Sequence, residues 1–146
     1  MSDYTYERYL DEQGSLTYRN VGVSMMPMLK QDRDLFTVVK KGDARCKKYD
    51  VVLYRRPPNK YVLHRVIKVR QNDYVILGDN CINKEYGITD NDIIGVMISF
   101  VHNGKEYKTS DLRYRIYVFW RCHTAPIRIF LKKLKYKLKR LIKKTK

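Results

Sequence analysis

A mostly β, compact antiparallel domain followed by a basic amphipathic helix is what this sequence predicts, and three observations carry the expectation. Short runs rich in Val, Ile, Tyr and Phe recur between residues 16 and 109, several with the two-residue alternation of strands. Turn-forming pairs separate them, among them Gly42-Asp43, Pro57-Pro58, Asn72-Asp73 and Asn103-Gly104. From Ile127 onward the apolar residues recur at three- and four-residue steps with lysines between them, which is helical spacing.

Taken in order, residues 3–13 predict a short helix with Ser2 or Asp3 as cap, Gly14 as stop and an aromatic side of Tyr4, Tyr6 and Tyr9. Leu16–Arg19 reads as a brief strand, and Asp34–Lys40 and Tyr49–Arg55 as longer ones, with a polar turn over residues 41–48. Tyr61–Val69 is the clearest strand. Its alternation sets Tyr61, Leu63, Arg65 and Ile67 on one face and Val62, His64, Val66 and Lys68 on the other. Tyr74–Leu77 follows across a hairpin. Ile93–Val101 pairs through His102-Asn103-Gly104-Lys105 with Glu106–Thr109. No internal repeat is apparent.

The net charge of +16 on 146 residues is unevenly placed. Residues 112–146 carry 13 Lys/Arg and no Asp/Glu, which leaves residues 1–111 nearly balanced at +3. The chain therefore divides at this level into a body, 1–111, and a basic tail, 112–146. In the tail, Ile127, Phe130, Leu131, Leu134, Leu138, Leu141 and Ile142 form the apolar stripe of a helix otherwise filled with Lys and Arg. That combination suits an anionic membrane surface or a membrane partner, reached through residues 127–146.

Cys46, Cys81 and Cys122 are odd in number, far apart and without a Cys-x-x-Cys pair, so neither a zinc site nor a disulfide framework is indicated, and no cofactor motif is present. Free thiols suit a reducing compartment. The N-terminal residues lack the apolar core of a secretory signal, and no stretch approaches the length of a spanning helix. The expected location is cytoplasmic, peripheral at the inner face of the membrane.

Three islands carry the chemistry. Gly22-Val23-Ser24-Met25-Met26-Pro27 sets a serine on a turn stiffened by proline, which restricts both its own φ and the residue before it. Leu63-His64-Arg65-Val66 offers an imidazole, and Leu77-Gly78-Asp79-Asn80 a carboxylate. A hydroxyl, a base and an acid are what nucleophilic acyl transfer needs. Each residue also has an ordinary reading alone: Ser24 as a turn cap, His64 as a satisfied core histidine, Met25, Met26 and Met28 as packing, and Cys81 as a buried thiol. Arg65 reads as a fold-supporting ion-pair partner, and neither His102 nor His123 carries a role.

Together the islands resemble the signal peptidase I family and, more distantly, the self-cleaving repressors that share its fold. The family pattern is small-x-Ser-Met-x-Pro, a strand after Gly-Asp-Val-Val, a base box ending in Arg-Val, and Gly-Asp-Asn. Here they stand as Gly22–Pro27, Lys48-Tyr49-Asp50-Val51-Val52, His64-Arg65-Val66 and Gly78-Asp79-Asn80, in that order, within residues 16–100. The resemblance implies a signal-peptidase-type β domain and a serine endopeptidase. Ser24 would be nucleophile and His64 general base, as in the histidine-type endoplasmic-reticulum, archaeal and sporulation members. Gly22, Met25, Met26 and Pro27 would form the oxyanion region and substrate cleft. For the group that orients His64 it implies a carboxylate at or beyond Gly-Asp-Asn, either Asp79 in the intact box or Glu85 beyond it.

Two departures from the pattern shape the expectation. No N-terminal anchor precedes the nucleophile, so Ser24 should face the cytoplasm unless a partner carries it across. No Ala-Gly or Cys-Gly bond is present for self-cleavage. The expected partner is a peptide or protein substrate bound extended along a strand edge. The rival from another class is a catalytically silent or regulatory binding module using its basic tail on membrane or nucleic acid. The leucine stripe disfavours nucleic acid, since a polycation alone would serve the duplex backbone.

Overall fold

Thr5 starts the first helix by accepting a hydrogen bond from Arg8 N–H at 3.2 Å, and Gly14 ends it in the left-handed conformation (φ 78°) with its N–H on Leu10 O. The structure, a computed structural model, describes residues 5–145. Ser2 and Asp3, the expected caps, and Tyr4 lie outside them. In chain order the elements are α1 (Tyr6–Gln13), β1 (Ser15–Arg19), β2 (Leu35–Lys40), β3 (Val51–Arg56), β4 (Lys60–Val69), β5 (Tyr74–Leu77), β6 (Glu85–Ile88), β7 (Ile93–His102), β8 (Lys105–Lys108), α2 (Leu112–His123) and α3 (Ala125–Lys144).

The strands form a mostly antiparallel sheet in the order β1-β2-β7-β3-β4-β5-β6, with β8 paired to β7. Its central strands are covered on both sides. Along β3, Val51 and Leu53 enter one core with Leu10, Met25, Phe36 and Tyr114, while Val52 and Tyr54 enter a second with Val66, Tyr74, Ile76 and Ile93. Each fully buried aliphatic side chain there stabilises the fold by about 1.5–3 kcal/mol. The same period-two logic on β4 sends Leu63 and Arg65 to the first side and His64 and Val66 to the second. The hairpin at Asn103-Gly104 has positive φ at both positions (53° and 75°), as a two-residue turn of this kind requires.

Three elements depart from expectation. β6 is a four-residue edge strand whose Gly87 sits at φ 76° and whose pairing with β5 is irregular, so it lacks an alternating apolar signal. The tail holds two helices, not one. α2 places Tyr114 and Val118 in the first core, whereas α3 buries no side chain among the described residues. Pro126, in the first turn of α3, marks the break, since proline's missing N–H is tolerated only there. Among the described residues no helix is long and apolar enough to cross a membrane.

Candidate active site

Ser24 lies in the turn between β1 and β2, and the turn is fastened from several sides. Asn20 Nδ2 donates to Gly22 O at 3.2 Å and Leu29 O at 3.3 Å, closing the loop on itself. Met25, Met28 and Leu29 root it in the first core. Met25 is fully buried in that core; Met26 is half-buried and Pro27 exposed at the surface of the turn. Gly22 adopts φ 85°, which favours glycine over any residue with a side chain.

The Gly-Asp-Asn island clamps this turn. Asn80 N–H donates to Ser24 O at 2.8 Å, and Asn80 Nδ2 donates to Val23 O at 3.0 Å. Gly78 is the point where the turn and His64 approach each other. A Cβ there would lie 2.8 Å from Ser24 O, 3.0 Å from His64 Cδ2 and 2.6 Å from Cys81 Sγ, so only glycine lets the three approach. The Ser24 hydroxyl makes no hydrogen bond among the described residues, and its backbone N–H donates none. On the far side of the imidazole, Nε2 has Cys81 Sγ at 4.0 Å. Cys81 is half-buried, and that burial pushes its thiol pKa up, away from a reactive thiolate.

His64 is oriented from its other nitrogen. Tyr54 Oη donates to Glu85 Oε1 at 2.8 Å and lies 3.1 Å from His64 Nδ1. A phenol has one proton, and Glu85 takes it, so Nδ1–H is the donor to Tyr54 and the neutral ring keeps its lone pair on Nε2. Burial beside Glu85 raises the Tyr54 pKa, keeping the phenol protonated. Arg56 pairs with the same Glu85 oxygen and holds the carboxylate in place. Glu85 Oε1 is itself 3.6 Å from Nδ1. Burial pushes the His64 pKa down to about 4, only partly offset by Glu85, so the imidazole is neutral at pH 7.

Asp79 is placed elsewhere. Its carboxylate takes a two-pronged pair from Arg65, Nε to Oδ1 and Nη2 to Oδ2, both at 2.8 Å, and a hydrogen bond from Tyr117 at 2.8 Å. Arg65 completes its shell on Tyr49 O and the Tyr114 hydroxyl. Burial opposes both charges, but each partner outweighs it: the Asp79 pKa is lowered and that of Arg65 raised. Arg65 is thus the ion-pair partner expected of it. Of the two candidate acids, Glu85 is the one brought to the imidazole. Tyr54, the link between them, escaped notice in the sequence, where it reads as one more apolar strand residue.

Tyr49, two residues before β3, adopts φ 79°. For an aromatic residue that is an outlier costing about 1–3 kcal/mol. Among the described residues no three His, Cys, Asp or Glu side chains cluster so as to hold a metal ion. No family model, curated protein or solved structure matches the chain.

Proposed function

We propose that the protein is a serine endopeptidase of the signal peptidase type, with Ser24 as nucleophile and His64 as general base. One observation carries the reading: the backbone of a turn serine with an unengaged hydroxyl packs on the same glycine, Gly78, as the Cδ2 edge of a neutral imidazole whose Nδ1 is already committed to Tyr54 and Glu85. The left-handed Tyr49 at the family's glycine position supports it.

This mechanism requires Ser24 Oγ to reach His64 Nε2, which in this structure faces Cys81 Sγ at 4.0 Å. Oγ attacks the substrate carbonyl carbon as its proton passes to Nε2. The oxyanion is met by the Ser24 N–H, and the intermediate collapses by expelling the amine, which takes the proton from Nε2. Water repeats the sequence on the acyl-serine. Tyr54 and Glu85 fix the tautomer and stabilise the imidazolium as it forms.

Labelling with a fluorophosphonate, followed by mapping of the modified peptide, tests this. The expected adduct is on Ser24, lost in Ser24→Ala and retained in Cys81→Ala. An adduct on Cys81, or equal labelling of Ser24→Ala, overturns the assignment.

The tail adds location. α3 exposes Ile127, Phe130, Leu131, Leu134, Leu138, Leu141 and Ile142 among its cations, which fits adsorption to an anionic membrane. Co-sedimentation with anionic vesicles is expected to persist at salt concentrations that abolish DNA retardation, because buried apolar area is not screened.

A further inference from the structure

A cavity of about 670 Å³ lies between the Gly78-Asp79 turn and the junction of α2 with α3, and neither Ser24 nor His64 lines it. Beside Arg65, which is paired with Asp79, its lining joins five further cations, Lys48, Lys84, Arg121, Arg128 and Lys133, to an apolar wall of Ile67, Ile82 and Ile129. Asp79 is the one acid in that lining, and its side chain is occupied by Arg65 and Tyr117.

The two arginines spend their hydrogen bonds on backbone carbonyls and not on a carboxylate. Arg121 donates to Asp79 O and Met26 O, and Arg128 to Asp79 O and Arg121 O; neither forms an ion pair among the described residues. Arg128 Nε is buried and has no acceptor among the described residues. A buried donor without a partner is costly, and it sits where two guanidinium groups already crowd together. Burial and the neighbouring Arg121 charge lower the Arg128 pKa, and the charge of Asp79 offsets them only in part.

We propose that this cavity binds a phosphate group carried on an apolar body. A tetrahedral anion presents acceptors in several directions at once, which matches guanidinium and ammonium donors converging from two helices and a loop. The isoleucines would cover the organic portion. The cavity also adjoins the exposed stripe of α3. Pro126, Arg128 and Ile129 line it, while Ile127, Phe130 and Leu131 of the same turns are 65%, 65% and 56% exposed. A phospholipid headgroup would therefore place its acyl chains beside that stripe. The inference does not depend on peptide cleavage.

The test is calorimetric titration of the full chain with dihexanoyl phosphatidic acid below its micelle concentration, with inorganic phosphate, and with phosphatidylcholine vesicles with or without phosphatidic acid. The soluble lipid is expected to bind saturably at one site, more tightly than inorganic phosphate. Arg128→Gln should weaken it about tenfold or more, since a hydrogen bond to a charged group is lost. Lys108→Gln, a charge removed from β8, should leave it unchanged. Should Arg128→Gln fail to fold by circular dichroism, Lys133→Gln at the cavity replaces it. Protection of Lys84 and Lys133 from amine acetylation, in the unaltered protein, gives a readout free of substitutions. Protection by soluble lipid and by phosphatidic acid vesicles alike supports a membrane source; protection by the soluble lipid alone supports a free metabolite of the same chemistry. Absence of saturable binding, equal affinity for inorganic phosphate, or indifference to the cavity substitution overturns the proposal.

Discussion

His64 and Arg65 are neighbours on one strand, both buried, and the two faces of β4 treat them in opposite ways. Arg65 is saturated: a two-pronged carboxylate, a carbonyl, a phenol and the Met28 sulfur at 3.7 Å surround it. His64 is held at one nitrogen and left with a thiol 4.0 Å from the other. The difference separates a group that locks the fold from one that can exchange a proton. It also divides the two acids: Asp79 belongs to the locking face and Glu85 to the exchanging one.

The largest effect should come from the locked face. Asp79→Asn leaves the Arg65 guanidinium buried without a counter-charge, and breaking such a pair costs about 3–5 kcal/mol. The loss is read as a lower midpoint in urea unfolding. A change under about 1 kcal/mol would mean that Tyr114 and Tyr49 suffice to hold Arg65, and the contrast between the faces would fall.

Next in size is a pH effect from the exchanging face. Burial sets the His64 pKa at about 4, against an ordinary value of 6.5. Between those values the unfolded chain binds a proton that the folded chain refuses, so stability rises with pH across the window and is lost as pH falls from 6.5 towards 4. The contribution is about 3 kcal/mol from the pKa difference. His64→Gln should remove it. The measurement is the difference between wild-type and variant unfolding free energies at pH 7 and pH 4; identical slopes would mean the imidazole is not desolvated.

Much of this contrast was legible in the chain. The alternation over residues 61–69 already puts His64 and Arg65 on opposite faces, and the three islands single out Ser24, His64 and Asp79. What could not be read was pairing. Which of two carboxylates reaches an imidazole depends on β6, a short polar edge strand set by its neighbour β5 and not by its own pattern. Tyr54 looked apolar because its hydroxyl has meaning only beside His64 and Glu85. Likewise α2, whose Tyr114 and Tyr117 complete the Arg65–Asp79 network, was hidden in a charge count that treated residues 112–146 as one basic tail. Charge describes solvent-facing positions, and α2 also has an inward face.

The smallest stability effect, and the sharpest test of the division, is Glu85→Gln. Arg56, its ion-pair partner, keeps 38% of its side chain exposed, so water screens the pair and the expected loss is below about 1 kcal/mol. Its effect on His64 should be larger. Glu85 raises the imidazole pKa while Arg56 lowers it, so removing the acid leaves Arg56 unopposed and moves the His64 titration to still lower pH. Asp79 raises the same pKa too, but as the smallest of the influences on it, so Asp79→Asn should shift the titration less than Glu85→Gln does. The His64 ring proton, followed by NMR and assigned by its absence in His64→Gln, reports this without any substrate. A larger shift in Asp79→Asn would reverse the roles given to the two acids, and with them the direction in which the imidazole is oriented.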